Sequence, residues 1–368
     1  MFQLTISKTK LLNSLLIVVG AVDKKQALPI LANVLLQQSV DELLITATDL
    51  EIEITAIVDH KSSNTNTAIT VPARKFVDII RSLEDNTNPS LYWQAENIII
   101  NTGSGKFKLA TLPAKDFPLS VNTATELEFS LSRVAFISLL QATHFALSQH
   151  DLRIFLNSLL IEIDSRTITA VATDGHRMAI YKLNCKDVNP SCRFLLSRKC
   201  VQEILRLLQG IDDEEINFAV GSSCLKVRAK EFIIQARLMQ SRFPPYIKAI
   251  PKNQDKIVLV DSGILKRALA RIMILTNEKS RAILLYLKPG CLTLEVKSQT
   301  QEEAVEILET QTEGGEIKIA LNANYLLDLL NFLNNGLIKL SMTTANSSIL
   351  AQAINNKNYQ YIIMPMKL

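Results

Sequence analysis

Three side chains that could do chemistry lie within four residues near the middle of the chain: Asp174, His176 and Arg177. A carboxylate beside an imidazole could serve as an acid–base pair, which makes a hydrolase one hypothesis. Catalysis would also need a nucleophile or a metal ion nearby, and no G-x-S-x-G or cysteine–histidine pattern supplies one. A solvated polar turn is therefore the plainer interpretation, with the hydrolase kept as an alternative.

The residues around this group predict a β-hairpin. Asp174-Gly175 tolerates the positive φ of a tight turn, and apolar residues both precede it at Val171 and Ala172 and follow it from Met178 to Tyr181. We expect Asp174, His176 and Arg177 at or just past a turn that joins two strands.

Length and composition favour a multidomain globular protein. A chain of 368 residues usually forms two or three domains, and 48% hydrophobic with 21% charged residues is ordinary for such proteins. No window stays apolar for the roughly 20 residues that a membrane span requires. The N-terminal residues alternate like a strand and lack the pattern of a signal peptide, so we expect a cytoplasmic protein that does not bind membranes.

The chemistry-bearing residue types predict no metal site and no cofactor. The five cysteines are odd in number without a C-x-x-C pair, and none of the four histidines has H-E-x-x-H spacing. Gly103-Ser104-Gly105-Lys106 resembles part of a phosphate loop but lacks its spacing and its following helix, so a hairpin turn is predicted there.

A unit of about 125 residues recurs three times. Serines that could cap helices stand at Ser7, Ser132 and Ser262, and Ala47-Thr48-Asp49 recurs as Ala172-Thr173-Asp174. Several landmarks in register predict tandem copies of one domain, each with two helices among many short strands. The predicted domains are residues 1–122, 126–250 and 253–368.

Positive charge concentrates on the predicted helices. They carry twelve basic and three acidic residues, whereas the whole chain has a net charge of +4. A solvated helix face is one explanation. A surface that contacts the phosphates of duplex DNA without reading bases is the other, and the lack of interleaved aromatic residues disfavours single-strand binding. The helix residues predicted to face DNA are Arg74, Lys75, Arg198 and Lys199.

Two further segments stand out. The chain end from Tyr361 to Leu368 is unusually apolar, so we expect it to be docked on the protein and to suit several partners. The acidic run from Glu302 to Glu309 is normally a solvated strand or loop, and it could also meet a basic edge of a second subunit. A sequence-specific DNA regulator is disfavoured because no recognition-helix motif is present.

The chain resembles the bacterial DNA polymerase III β subunits, the sliding clamps, along its whole length. The segments that carry the resemblance are Leu28-Pro29-Ile30-Leu31, Ala47 to Glu51, Val71 to Phe76, Leu112 to Pro118, Ala172 to Arg177, Arg242-Phe243-Pro244, Asn277-Glu278-Lys279 and Met364 to Leu368. The resemblance implies an α+β fold of three clamp domains, with helices inside and antiparallel sheets outside. It implies a head-to-tail homodimer that closes to a pseudo-sixfold ring around duplex DNA. It also implies a non-catalytic subunit of the DNA polymerase III holoenzyme.

The resemblance also implies functional residues. A hydrophobic cleft between the second and third domains would receive short linear motifs of the replicative polymerase, the clamp loader and repair proteins. Its residues would be Arg153, Phe155, Leu156, Thr173, Gly175, His176, Arg177, Met178, Pro244, Lys248, Ala249, Asn322, Tyr325, Ser348, Ile362, Met364, Pro365, Met366 and Leu368. Lys25 and His150 would face DNA. The dimer interface would contain Lys75, Lys106, Phe107, Leu109, Ile274, Leu275, Glu302, Glu303 and Glu306.

Overall fold

The computed structural model of the chain describes residues 3–22, 28–60, 67–94, 96–121, 124–186, 188–278, 280–297, 302–333 and 335–367. These residues form two compact units, Met1–Val134 with Gln202–Leu238, and Ala135–Val201 with Met239–Leu368. Among the described residues no helix is long and apolar enough to cross a membrane.

Six α-helices occur in the described residues, two in each predicted repeat. They are α1 (Lys8–Val18), α2 (Ala73–Ser82), α3 (Arg133–Gln141), α4 (Arg198–Gln209), α5 (Ser262–Ile272) and α6 (Ala323–Leu333). The first helix of each repeat is followed by a short 3-10 turn, at Val19–Ala21, His144–Ala146 and Met273–Leu275.

The first unit contains a four-stranded and an eight-stranded antiparallel sheet. Its strands are β1 (Gln3–Thr5), β2 (Asn33–Gln38), β3 (Glu42–Thr48), β4 (Ile52–Asp59), β5 (Thr67–Pro72), β6 (Ser90–Gln94), β7 (Asn97–Asn101), β8 (Lys106–Ala110), β9 (Thr125–Ser132), β14 (Glu215–Gly221), β15 (Cys224–Arg228) and β16 (Phe232–Arg237). The strand orders are β1-β6-β7-β8 and β5-β2-β3-β4-β16-β15-β14-β9.

The second unit contains a nine-stranded and a four-stranded sheet. Its strands are β10 (Ser158–Asp164), β11 (Thr167–Thr173), β12 (Arg177–Asn184), β13 (Cys192–Ser197), β17 (Lys256–Asp261), β18 (Ala282–Lys288), β19 (Cys291–Lys297), β20 (Glu303–Glu309), β21 (Gln311–Glu313), β22 (Ile317–Asn322), β23 (Leu337–Met342), β24 (Ile349–Ala353) and β25 (Asn356–Ile363). The orders are β13-β10-β11-β12-β25-β24-β23-β17-β21 and β20-β19-β18-β22.

The strand orders confirm three copies of one domain. Each repeat contributes two four-stranded half-sheets, and the third adds the short β21. Two half-sheets of adjacent repeats merge where β4 pairs with β16, and two more merge where β12 pairs with β25. The exact domain boundaries stay a prediction.

The first helix of each repeat buries one face, as the apolar spacing predicts. In α1 the buried side chains include Leu11, Leu15 and Val18, and in α5 they include Leu265 and Leu269. Residues three and four apart share a helix face, so these side chains form a single stripe.

The structure corrects one predicted helix start. Ser7 caps α1, because its hydroxyl accepts the backbone N–H of Lys10. In the third repeat the cap is Asp261, one residue before the predicted Ser262, because the Asp261 carboxylate accepts the N–H of Ile264 at 2.9 Å. Ser262 is therefore the first residue of the helix.

Candidate functional site

The predicted hairpin at Asp174-Gly175 is confirmed. Strands β11 and β12 pair from Thr167 with Asn184 up to Thr173 with Met178, and Asp174 to His176 form the turn. Gly175 has φ +89°, a left-handed conformation that L side chains rarely adopt. The turn therefore requires the glycine that the sequence places there.

The Asp174 carboxylate closes this turn. One oxygen accepts the backbone N–H groups of His176 and Arg177 at 2.9 and 3.0 Å, and the other accepts Nε of Arg177 at 3.0 Å. His176 is exposed on the loop. No group of three or more metal-ligating side chains occurs in the described part of the chain. The geometry thus gives the hydrolase hypothesis no support.

Arg177 is a buried cation at the start of β12, with a side chain only 10% exposed. Its guanidinium donates to Asp174, Asp328 and the Phe145 carbonyl oxygen, and it lies 4.5 Å from the centre of the Tyr325 ring. Burial works against its charge, but the neighbouring Tyr361, Asp328 and Asp174 more than offset this, so the pKa of Arg177 is raised. The side chain therefore fastens the hairpin to α6 and to the turn after α3.

An open cavity of about 230 Å³ lies beside this hairpin, where the second and third repeats join within the second unit. Its floor is an apolar core cluster that includes Val171, Met178, Leu350 and Ile362. The cavity is hereafter called the cleft. The predicted residues that line it are Arg153, Phe155, Leu156, Thr173, Gly175, Arg177, Met178, Pro244, Ala249, Ser348, Ile362 and Met364.

Three lining residues were not predicted: Phe243, Pro245 and Tyr246. Tyr246 donates its hydroxyl to Glu162 at 2.6 Å, and burial followed by this hydrogen bond raises its pKa. Arg193 donates to the Phe243 carbonyl oxygen and forms an ion pair with Glu162. These long-range contacts hold the loop over the cleft. The sequence signal for this loop was the Arg242-Phe243-Pro244 segment, which resembles the family. Of its three residues, only Pro244 was predicted to belong to the cleft.

Other predicted cleft residues do not line this cavity. The side chains of His176, Lys248, Asn322, Tyr325, Pro365 and Met366 are not among those lining the cavity, and Leu368 lies outside the described residues. Asn322 accepts the N–H of Asn324 at the start of α6, and Tyr325 stacks beneath Arg177. Tyr325 thus contacts the lining residue Arg177 without lining the cavity itself.

The C-terminal segment is docked, as predicted. Strand β25 lies between β12 and β24. Beyond it, the Met364 N–H donates to the His176 carbonyl oxygen and the Met366 N–H donates to that of Ala320, both at 2.8 Å. Met364 is 46% exposed beside the cleft.

The residues predicted to face DNA differ in accessibility. Arg74 and Lys75 are exposed on α2, and His150 is exposed on a loop. Arg198 is half-buried and donates Nη1 to the Leu147 carbonyl oxygen, so part of its hydrogen-bonding capacity is used within the chain. Lys199 is half-buried on α4, and Lys25 lies outside the described residues.

The residues predicted for the dimer interface lie on two sheet edges, on the turn after α5 and, for Lys75, on α2. Strand β8 carries the exposed Lys106 and Phe107 with the half-buried Leu109, and β20 carries Glu303 and Glu306, with the exposed Glu302 just before it. In the turn after α5, Ile274 is 78% exposed and Leu275 is half-buried. Val305 and Ile307 on β20 are also exposed and were not predicted.

Comparison with known proteins decides the family. Residues 2–121, 130–245 and 247–367 match the N-terminal, central and C-terminal domains of the DNA polymerase III beta subunit. The chain belongs to this family. Family members are non-catalytic processivity subunits, which excludes the hydrolase alternative.

Individual beta sliding clamps match over essentially the whole chain. The one from Proteus mirabilis is 37% identical, with 99% of each chain covered, and the one from Escherichia coli K12 is 36% identical, with 100% covered. A crystal structure of the Pseudomonas aeruginosa beta subunit matches with TM-score 0.95 and 34% identity over 100% of both chains. Another clamp from that organism, bound to griselimycin, has TM-score 0.95 and 35% identity over 100% of this chain and 99% of that one.

Proposed function

We propose that this chain is a DNA sliding clamp that acts in the cytoplasm. Two copies join head to tail, enclose duplex DNA without sequence preference, and tether the replicative polymerase and other replication and repair proteins. The observation that carries the proposal is the repeated strand order, in which β8 and β20 are edge strands of the described residues although their counterparts in the other repeats pair with each other.

The two internal junctions indicate what these edges bind. Strand β20 occupies the place in the third repeat that β4 and β12 occupy in the first and second, and β8 corresponds to β16 and β25. Because β4 pairs with β16 and β12 with β25, β20 of one copy is expected to pair with β8 of another. Lysines on β8 and glutamates on β20 give the edges opposite charge.

Helix charge supports DNA binding by enclosure. The six helices of the described residues carry the same twelve basic and three acidic side chains that the sequence predicts. Arg74, Lys75, Lys266 and Arg267 are exposed. Exposed cations make weak, salt-screened contacts to phosphates, which permit sliding along the duplex.

The deciding experiment for enclosure is retention on DNA of different topology. The clamp is loaded by its clamp loader onto nicked circular DNA and filtered at moderate salt. We expect it to stay on the circle and to leave as soon as a restriction enzyme linearises the DNA. Equal retention on circular and linear DNA would refute enclosure and leave ordinary charge-driven binding.

We further propose that the cleft receives short apolar linear motifs from partner proteins. Aromatic and aliphatic side chains line it, with Arg153, Thr173 and Ser348 as polar groups at its edge. Such composition suits an apolar anchor residue whose backbone is oriented by a few hydrogen bonds. The exposed Met364 and the bonds of Met364 and Met366 to neighbouring carbonyl oxygens make the chain end part of this surface.

Deleting Met364 to Leu368 should therefore remove peptide binding while leaving the dimer intact, because the proposed strand edges lie elsewhere. Binding of a fluorescent peptide from the C-terminal tail of the replicative polymerase measures the first effect, and sedimentation measures the second. Lys357→Ala, at an exposed position near the start of β25, is the matched control and should bind normally. Unchanged peptide affinity after the deletion would show that the motif binds elsewhere.

A further inference from the structure

A helix contact accompanies the strand pairing between the first and second repeats. Arg206 on α4 donates Nη1 to the Leu16 carbonyl oxygen at 3.2 Å and Nη2 to that of Ile17 at 2.9 Å, at the C-terminal end of α1. Its Nε bonds to Glu203 at 2.8 Å. The last carbonyl groups of a helix lack intrahelical partners and carry partial negative charge, so a guanidinium satisfies both needs.

The same arginine recurs one repeat earlier. Helices α2 and α4 begin at Ala73 and Arg198. Counted from these first residues, Arg81 has the same position in α2 as Arg206 in α4, and Asp78 has the same position as Glu203. Arg81 forms only a 3.5 Å pair with Asp78, and its side chain is 57% exposed.

The acceptor side recurs as well. The 3-10 turns after α1 and α5, Val19–Ala21 and Met273–Leu275, start one residue beyond their helices in both repeats. Counting back from these turns relates Leu16 and Ile17 to Ala270 and Arg271. Leu16 and Ile17 are half-buried under α4, whereas Ala270 and Arg271 are exposed. The C-terminal end of α5 is thus open where the equivalent end of α1 is covered.

The junction of the second and third repeats has no arginine at the position of Arg206. Asn331 on α6 replaces the arginine there, and Arg177 instead donates to the Phe145 carbonyl oxygen at 2.7 Å, in the turn after α3. Arg177 and Phe145 both belong to the second repeat, so the contact that reaches from one repeat to the helix end of the repeat before it is represented by Arg206.

We infer that Arg81 of one copy binds the main-chain carbonyl oxygens of Ala270 and Arg271 in a second copy. The inference rests on the proposed head-to-tail dimer and adds a specific helix-to-helix contact to the strand pairing. The second copy is the occupant because the proposed pairing of β8 with β20 of another copy would bring α2 to α5 in the relation that α4 has to α1.

Local sterics and charge agree with this contact. Glu203 lies against Gly20, where an added Cβ would be 2.0 Å from its carboxylate oxygen. Ile274 holds the position after α5 that Gly20 holds after α1. The acid that would face it is Asp78, whose side chain is shorter than that of Glu203 and leaves more room. The guanidinium of Arg271 is already bound to Glu306 through two 2.7 Å bonds, which offsets its repulsion of an incoming arginine.

The test is the dimer dissociation constant of Arg81→Ala, measured by sedimentation over a dilution series. Loss of a charged donor to two carbonyl groups should weaken the dimer roughly tenfold. Arg81→Lys, which keeps the charge but not the two-pronged geometry, should fall between wild type and Arg81→Ala. Lys182→Ala removes an exposed charge from β12, whose two edges are already paired, and should leave the constant unchanged.

The outcomes separate this inference from the proposed function. If the wild-type chain is a dimer and the dissociation constant of Arg81→Ala is within twofold of the wild-type value, the Arg81 contact is overturned and the proposed clamp is unaffected. A monomeric wild-type chain would overturn the dimer itself. Because Arg81 is exposed, the Arg81→Ala chain should melt as a monomer at the same temperature as the wild-type chain. Arg206→Ala should instead lower the melting temperature and leave the dimer dissociation constant unchanged.

Discussion

At the scale of single residues, two arginines line the same cleft with different roles. The Arg177 side chain is 10% exposed and binds Asp174, Asp328 and a backbone carbonyl, whereas that of Arg153 is 61% exposed. Arg153 pairs with Asp151 and, chiefly through this hydrogen bond, lowers the pKa of Asp151 to about 2. The first arginine holds the wall of the cleft together, and under our proposal the second is available to a partner.

Truncating these arginines should separate stability from binding. Arg177→Ala leaves Asp174 and Asp328 without their buried cation and should cost about 3 kcal/mol, seen as a lower melting temperature. Arg153→Ala breaks only a solvent-exposed pair and should melt like wild type, with weaker peptide binding. If Arg177→Ala melted normally and lost only peptide affinity, Arg177 would be a direct ligand instead.

The hairpin shows what sequence can and cannot predict at this scale. The Asp-Gly pair predicted the turn because only certain residues accept its backbone geometry. It did not predict that Arg177 would turn away from solvent, since its partner Asp328 is 151 residues distant. Tyr246 was missed for the same reason, because its anchor Glu162 is 84 residues away. The sequence predicts local structure such as a turn, but it does not predict which distant side chains will pair.

At the scale of elements, the internal junctions predict the register of the strand pair between two copies. Thr55 on β4 pairs with Ile233 on β16, and each also has a neighbour on its other side, Thr46 and Arg228. The residues at equivalent positions on the two edge strands are Val305 and Lys106. Val305 on β20 pairs with Glu295, and Lys106 on β8 pairs with Asn101. Val305 should therefore face Lys106, and Glu303 should face Lys108.

Paired cysteines test this register. Lys108→Cys combined with Glu303→Cys should give a covalent dimer with a short thiol crosslinker, because directly opposed Cβ atoms are about 5 Å apart. Lys108→Cys with Glu302→Cys points to the other face and should crosslink poorly. The wild-type chain, treated in parallel, reports any reaction of the five native cysteines. Preferential crosslinking of the Glu302 pair would mean that the register is displaced by one residue.

Helix starts were predictable to within one residue. The serine pattern predicted the third-repeat cap at Ser262, but the carboxylate of Asp261 accepts the helix N–H instead. Both residue types are good caps, so composition could not choose between adjacent candidates. The correction matters because it places α5 and its following turn in exact correspondence with α1, on which the Arg81 contact depends.

At the scale of the whole molecule, the repeat was the strongest signal in the sequence. Individually weak landmarks at constant spacing predicted three domains of two helices each, and the strand order reproduces that plan in both units. The chain ends this series with two edges that differ from each other, β8 and β20. Sequence reasoning named residues on both edges but could not show that they complete a pattern already present twice within the chain.

These unlike edges also determine how two copies would come apart. A head-to-tail pair has two identical junctions, and once the first has formed, the second closes within one complex at an effective concentration in the millimolar range. The pair would therefore resist dilution far below the affinity of one junction. Breaking one junction would still leave the two chains joined at the other, so DNA could enter without the clamp falling apart.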